Sequence, residues 1–187
     1  MTTDANNKIE MVRFLPKLSY STDQLQKELE DLLKAYPLKR GRLNLTHRKN
    51  ETYQPYDNLF QSYDYEAQKK RFDEEEFSEF AEELKSTVFY KIYDDIREFS
   101  PMPLGRARLL EIEPRQCLHL HRDTNMRYHI ALKTNPESFL IFPPAECIHL
   151  PVDGRVYLAN TTASHTAMNA GHSPRLHYVI STGQRNV

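Results

Sequence analysis

With 187 residues, 25 Lys or Arg against 26 Asp or Glu and a formal charge of −1, the chain has no global attraction to nucleic acid or an anionic membrane. A charged fraction of 27% and a mean hydropathy of −0.70 describe a well-solvated surface, and the length suits one domain over 1–187 with its own core. No apolar run approaches the roughly 20 residues of a membrane span, and the N-terminus MTTDANNKIEMV lacks the blocks of a secretory leader, so a cytoplasmic location without a membrane partner is the default expectation. Two cysteines, Cys117 and Cys147, are too few for a disulfide scaffold and point to a reducing compartment. Both flank apolar residues and read as buried small hydrophobes.

Along the chain, Ser21 and Gln24 have capping-box spacing and open a helix. Leu25, Leu29, Leu32, Leu33 and Tyr36 fall on one of its faces, and Pro37 ends it. The basic run Lys39–Arg40–Gly41–Arg42 reads as a solvated loop rather than a recognition patch. Residues 39–63 read as loop with short strands. Glu74 to Phe99 reads as a second helical region whose face of Phe77, Phe80, Leu84, Val88, Ile92 and Ile96 packs on a sheet. Residues 1–100 are thus a helical and loop support.

Pro101-Met102-Pro103 breaks the helical pattern, and β character follows. Arg106–Ile112, Cys117–Leu120, Arg127–Lys133, Ser138–Phe142, Val156–Asn160 and Arg175–Ser181 are short runs separated by turn signals. Six such strands predict a mainly β fold with supporting helices, of jelly-roll type, with its main part in 101–187.

Seven of eight histidines lie beyond residue 118. Leu118-His119-Leu120-His121-Arg122-Asp123 alternates as a strand would, which puts His119, His121 and Asp123 on one side. His121 and Asp123 can then reach one cation if the strand turns, with a third ligand from across the barrel. Two His and one carboxylate leave coordination positions open, as non-haem Fe(II) oxygenases require, and a 2-oxo acid with O2 can fill them. His165 lies in a turn-rich stretch after a strand, and Arg175 follows ten residues later at the start of the next. An arginine there can hold the distal carboxylate of 2-oxoglutarate by two parallel hydrogen bonds.

The segments His121-Arg122-Asp123-Thr124-Asn125-Met126-Arg127-Tyr128-His129 and His165 through Arg175 resemble the aspartyl/asparaginyl β-hydroxylase family of 2-oxoglutarate oxygenases, and residues 104–182 fit its order of motifs. The resemblance implies a double-stranded β-helix (cupin-like) in which His121 and His165 ligate Fe(II) and Arg175 binds 2-oxoglutarate. It places His129 near the metal-side carboxylate of the co-substrate, and Arg127 toward the co-substrate or the primary substrate. Asp123 departs from the best-known hydroxylases of the family, which lack a carboxylate two residues after the first metal His. It aligns the chain with relatives that keep a full His-x-Asp…His set, free amino-acid hydroxylases among them.

The implied reaction is hydroxylation of a C–H bond in a small-molecule or peptide substrate, an amino acid or an amino-acid residue, with O2 and 2-oxoglutarate consumed. Arg127 could clamp a substrate carboxylate, and Arg106 with Arg108 could do the same or form exposed ion pairs. Two other readings stay open at this point. A cupin-type metal enzyme could use His119 and His121 without 2-oxoglutarate, and a binding barrel could have kept the fold and lost the chemistry.

Overall fold

A computed structural model describes residues 10–57, 63–64, 69–70 and 72–183. The described elements run β1 (Val12–Ser19), α1 (Thr22–Ala35), β2 (Arg42–Asn44), β3 (Thr46–His47), β4 (Tyr63–Asp64), β5 (Lys69–Lys70) and β6 (Glu79–Phe80). They continue with α2 (Val88–Phe99), β7 (Leu104–Ile112), β8 (Gln116–Cys117), β9 (Arg127–Lys133), β10 (Ser138–Phe142), β11 (Glu146–Ile148), β12 (Arg155–Ala159), β13 (Thr166–Asn169) and β14 (Arg175–Thr182). A six-stranded antiparallel sheet, ordered β1-β12-β9-β14-β7-β2, faces a four-stranded one, ordered β11-β10-β13-β8. The result is the mainly β jelly roll expected, with two α-helices on its outside.

Local chemistry explains the helices. The Ser21 hydroxyl accepts the Gln24 N–H at 3.3 Å and starts α1. Leu25, Leu29 and Leu32 bury one stripe of it, each worth about 1.5–3 kcal/mol of transfer free energy. Tyr36 closes the last turn on the Leu32 carbonyl, and Pro37 follows. In α2 the Thr87 hydroxyl takes the same role for the Tyr90 N–H at 3.4 Å. Val88, Phe89, Ile92, Tyr93 and Ile96 are buried there.

The second helical region is shorter than the sequence pattern suggests. Only Val88–Phe99 is α-helix, while Glu74–Glu76 and Glu82–Leu84 are single 3-10 turns and Glu79–Phe80 pairs with Thr46–His47. Phe77, Phe80 and Leu84 are buried nonetheless, so their helical spacing records a core-facing loop rather than a helix. Glu74 turns inward with them and meets Arg106.

Alternation along β14 builds two layers. Leu176, Tyr178 and Ile180 join the cluster shared with both helices, and the Tyr178 hydroxyl donates to the Phe89 carbonyl at 3.0 Å. Arg175, His177 and Val179 point the other way, between the sheets. There Ile112, Ala131 and Ala159 from the large sheet meet Leu140, Phe142 and Ala167 from the small one. The polar row at the open end of this inner layer is the site. Among the described residues, no helix is long and apolar enough to cross a membrane.

Candidate metal centre

His121 and His165 lie opposite one another in an isolated antiparallel bridge. Each donates its backbone N–H to the other's carbonyl, at 3.0 and 2.8 Å, so the main chain fixes both Cα positions. The His121 Nδ1 lies 2.7 Å from the His119 carbonyl, and the His165 Nδ1 lies 3.0 Å from that of Ala163. A carbonyl only accepts, so Nδ1 carries the proton in both rings and each Nε2 keeps a lone pair. Those two nitrogens face Asp123, at 3.7 Å from Oδ1 and 3.6 Å from Oδ2. The donor atoms of all three residues lie within 4.8 Å of one another.

Asp123 is held by its backbone N–H on the Thr161 carbonyl at 2.9 Å. Its Oδ1 accepts from the Arg127 guanidinium at 2.7 Å. Its Oδ2 is buried with no hydrogen-bond partner. A carboxylate whose two oxygens each face an imidazole lone pair is in a repulsive arrangement until a cation sits among them, so the donor set fits a divalent metal. Burial lowers the His165 pKa, against the opposing pull of the Ala163 carbonyl and Asp123. The ring is therefore neutral near pH 7, the state a metal needs. Phe142 stacks on it with centroids 5.8 Å apart and planes at 29°.

Behind the three donors opens a cavity that reaches solvent, with Arg127, His129 and Arg175 in its wall. Arg175 is buried, and its Nη2 is 3.1 Å from the His177 Nδ1. Burial brings its pKa down to about 10, still a cation at neutral pH. Both ring nitrogens of His129 are buried without a partner. Burial first, then Arg175 and Arg127, hold His129 well below the usual histidine range, so it is a neutral ring with an unused donor and an unused acceptor. Its ring meets that of His177 edge-on at 5.8 Å.

The six residues named from the sequence therefore surround one space, but other expectations change. Leu118–Asp123 is not a regular strand: β8 ends at Cys117, and Leu118, His119 and Leu120 are exposed. His119 contributes its carbonyl rather than its ring. Only two residues of this edge find ladder partners, so side-chain alternation lapses beyond them. Cys117 and Cys147 are exposed, because both lie on outer strands of the small sheet. Arg106 and Arg108 are buried rather than in exposed pairs. Arg42, expected in a solvated loop, instead opens β2 and lines the cavity together with Thr161, and Asn125, buried, donates to the Thr182 carbonyl beneath it. The apolar Leu43 and Leu45 beside Arg42 were the available signal, since alternation turns Arg42 inward.

A family model for aspartyl/asparaginyl beta-hydroxylase matches residues 22–184. No protein of curated function matches the sequence significantly. Among solved structures, the fold is similar to a viral collagen prolyl hydroxylase from Paramecium Bursaria Chlorella virus-1, at 10% identity and a TM-score of 0.59 over 97% of this chain and 96% of that one. It is also similar to HygX from Streptomyces hygroscopicus with nickel and 2-oxoglutarate bound, at 13% identity and a TM-score of 0.57 over 94% and 83%. A 2OG-Fe(II) oxygenase family oxidoreductase from Burkholderia pseudomallei gives 12% identity and a TM-score of 0.56 over 94% and 85%.

Proposed function

Because the chain belongs to the aspartyl/asparaginyl β-hydroxylase family, whose enzymes use Fe(II) and 2-oxoglutarate, we propose that it hydroxylates a C–H bond of an amino acid or an amino-acid residue. The observation that carries this reading is the Asp123 carboxylate, its Oδ2 buried and unpartnered, facing the Nε2 lone pairs of two histidines, one through each oxygen.

In this reading His121, Asp123 and His165 hold the iron. Bound Fe(II) supplies the redox chemistry with O2 that no side chain can provide. The overall reaction would consume the substrate C–H bond, O2 and 2-oxoglutarate and give the hydroxylated product, succinate and carbon dioxide. Arg175 receives the distal carboxylate of 2-oxoglutarate, its buried charge strengthening each hydrogen bond. His129 meets the metal-side carboxylate as a neutral donor. Arg127 grips Asp123 Oδ1 and so leaves Oδ2 turned toward His165. Leu140 and Val179 keep the cavity wall apolar and limit water at the reacting centre. The described residues work as one catalytic unit, in which α1 and α2 back the large sheet and β1 and β2 form its two edges.

Succinate formation by the Fe(II)-loaded chain, followed with and without 2-oxoglutarate, tests this. Turnover falls to background in Asp123→Ala and His165→Ala. Wild-type turnover in either purified variant removes that residue from the metal set.

A further inference from the structure

Arginines on the inner face of the large sheet find partners of two kinds. Arg106 and Arg108 meet Glu74, and Arg127 meets Asp123. Among the described residues no carboxylate meets Arg175, and the one side chain it hydrogen-bonds is His177. A guanidinium can only donate, so Nη2 donates to Nδ1 at 3.1 Å and the ring proton is on Nε2. That Nε2 is buried without a partner, so the ring stands here despite one unsatisfied donor. Burial first, then Arg175 and His129, hold its pKa well below the usual histidine range, and Nδ1 keeps its lone pair at neutral pH.

A neutral acceptor does what a carboxylate would not. It fixes the guanidinium without neutralising it and leaves the full charge for an incoming anion, with which a carboxylate in the same place would compete. The register shows where this matters. His177 follows Arg175 by two residues on the same face of β14, about 7 Å along the strand. Val179, two further on, faces His129 on β9. His177 therefore stands level between the two residues that take the ends of 2-oxoglutarate in the reading above, and it meets both. Its Nδ1 accepts from Arg175, and its ring packs edge-on against that of His129. The hydrogen bond draws the long Arg175 side chain along the sheet toward His129.

We propose that His177 is a positioning residue that sets the separation between the Arg175 guanidinium and His129, and so selects the five-carbon 2-oxo diacid over its four- and six-carbon homologues. Without Nδ1, the Arg175 head is released to other rotamers. It then binds the diacid of the right length less tightly and rejects the others less sharply. This rests on the oxygenase reading and adds the residue that measures the length of the co-substrate.

The test titrates 2-oxoglutarate, oxaloacetate and 2-oxoadipate into the Fe(II)-loaded full chain without O2. Each is followed by the visible band of its chelate, and the Kd for Fe(II) is measured beside them. Wild type binds 2-oxoglutarate tightest. In His177→Leu its Kd rises about tenfold, as loss of one hydrogen bond to a charged group implies. The Kd values of the two homologues change less, and that of Fe(II) stays the same. His177→Asn, which places an amide oxygen where Nδ1 stands, recovers most of the affinity and of the preference. His177→Gln puts its amide at the Nε2 position instead and behaves as His177→Leu does, so the test survives if the latter fails to fold. An unchanged Kd for 2-oxoglutarate in His177→Leu and His177→Gln, an equal loss for all three acids, or a Kd for Fe(II) that rises with them would overturn the proposal. A wild type that binds Fe(II) but shows no band with any of the acids would sink the oxygenase reading itself, and this proposal with it.

Discussion

Arg175 and His129 show how single residues are prepared by their surroundings. Both are buried and line the cavity; His129 keeps both ring nitrogens without a partner, and Arg175 is steadied by His177. Arg175→Met removes a buried charge that meets a carboxylate, a loss of about 2–5 kcal/mol. The Kd for 2-oxoglutarate accordingly rises by about thirtyfold or more, measured by titration of the metal-loaded protein. An unchanged Kd would contradict the role given to Arg175. At this scale the sequence was informative because each residue carries its own chemistry: the spacing of His121, Asp123, His165 and Arg175 needs no knowledge of packing. Arg108 was legible only as an open choice between a carboxylate clamp and an exposed ion pair, and it is buried beside Glu74. Its meaning depends on Glu74 being shared with Arg106, and that contact joins β7 to a single turn 30-odd positions earlier.

At the level of elements, α1 was readable because cap, periodicity and terminating proline all agree. Residues 74–87 were not, because Phe77, Phe80 and Leu84 mimic a helical stripe while Glu79–Phe80 pairs in a ladder with β3. Strand β1 gave no signal of period two: Val12, Leu15 and Leu18 are buried at every third position, and its register slips between Phe14 and Ser19. Thr87→Ala removes the cap of α2 and costs about 1 kcal/mol, a Tm drop of roughly 2–4 °C. Scanning calorimetry checks this, and an unchanged Tm would show that packing alone holds the helix. Gly154 is stricter. Its φ is +73°, and a Cβ there would lie 1.9 Å from the Tyr20 carbonyl oxygen. Gly154→Ala therefore destabilises by more than about 1 kcal/mol, read from urea unfolding, by parting the end of β1 from β12.

Across the whole molecule, burying neutral histidines makes stability depend on pH. Burial first, then Arg175 and His129, hold His177 well below its usual range. Its folded pKa is lowered, so it is neutral in both states above about pH 6.5, where it adds no slope. Below that, the unfolded chain binds a proton that the folded chain refuses. Stability then falls with pH by up to about 1.4 kcal/mol per unit for His177, and His129 adds a like amount. Urea unfolding of the metal-free protein at pH 7.5 and 5.5 shows the loss, and His177→Gln flattens it. Equal stability at both pH values would mean that the two rings reach solvent.

The central claim is that His121, Asp123 and His165 hold a metal that 2-oxoglutarate joins from the Arg175 side. Anaerobic titration of Fe(II) and then 2-oxoglutarate into the metal-free protein, watched for the weak visible charge-transfer band of the chelate, tests it most directly. The account predicts a saturable band in the wild type that disappears in Asp123→Ala and needs far more 2-oxoglutarate in Arg175→Met. Tight metal binding with no band at any 2-oxoglutarate concentration would contradict it.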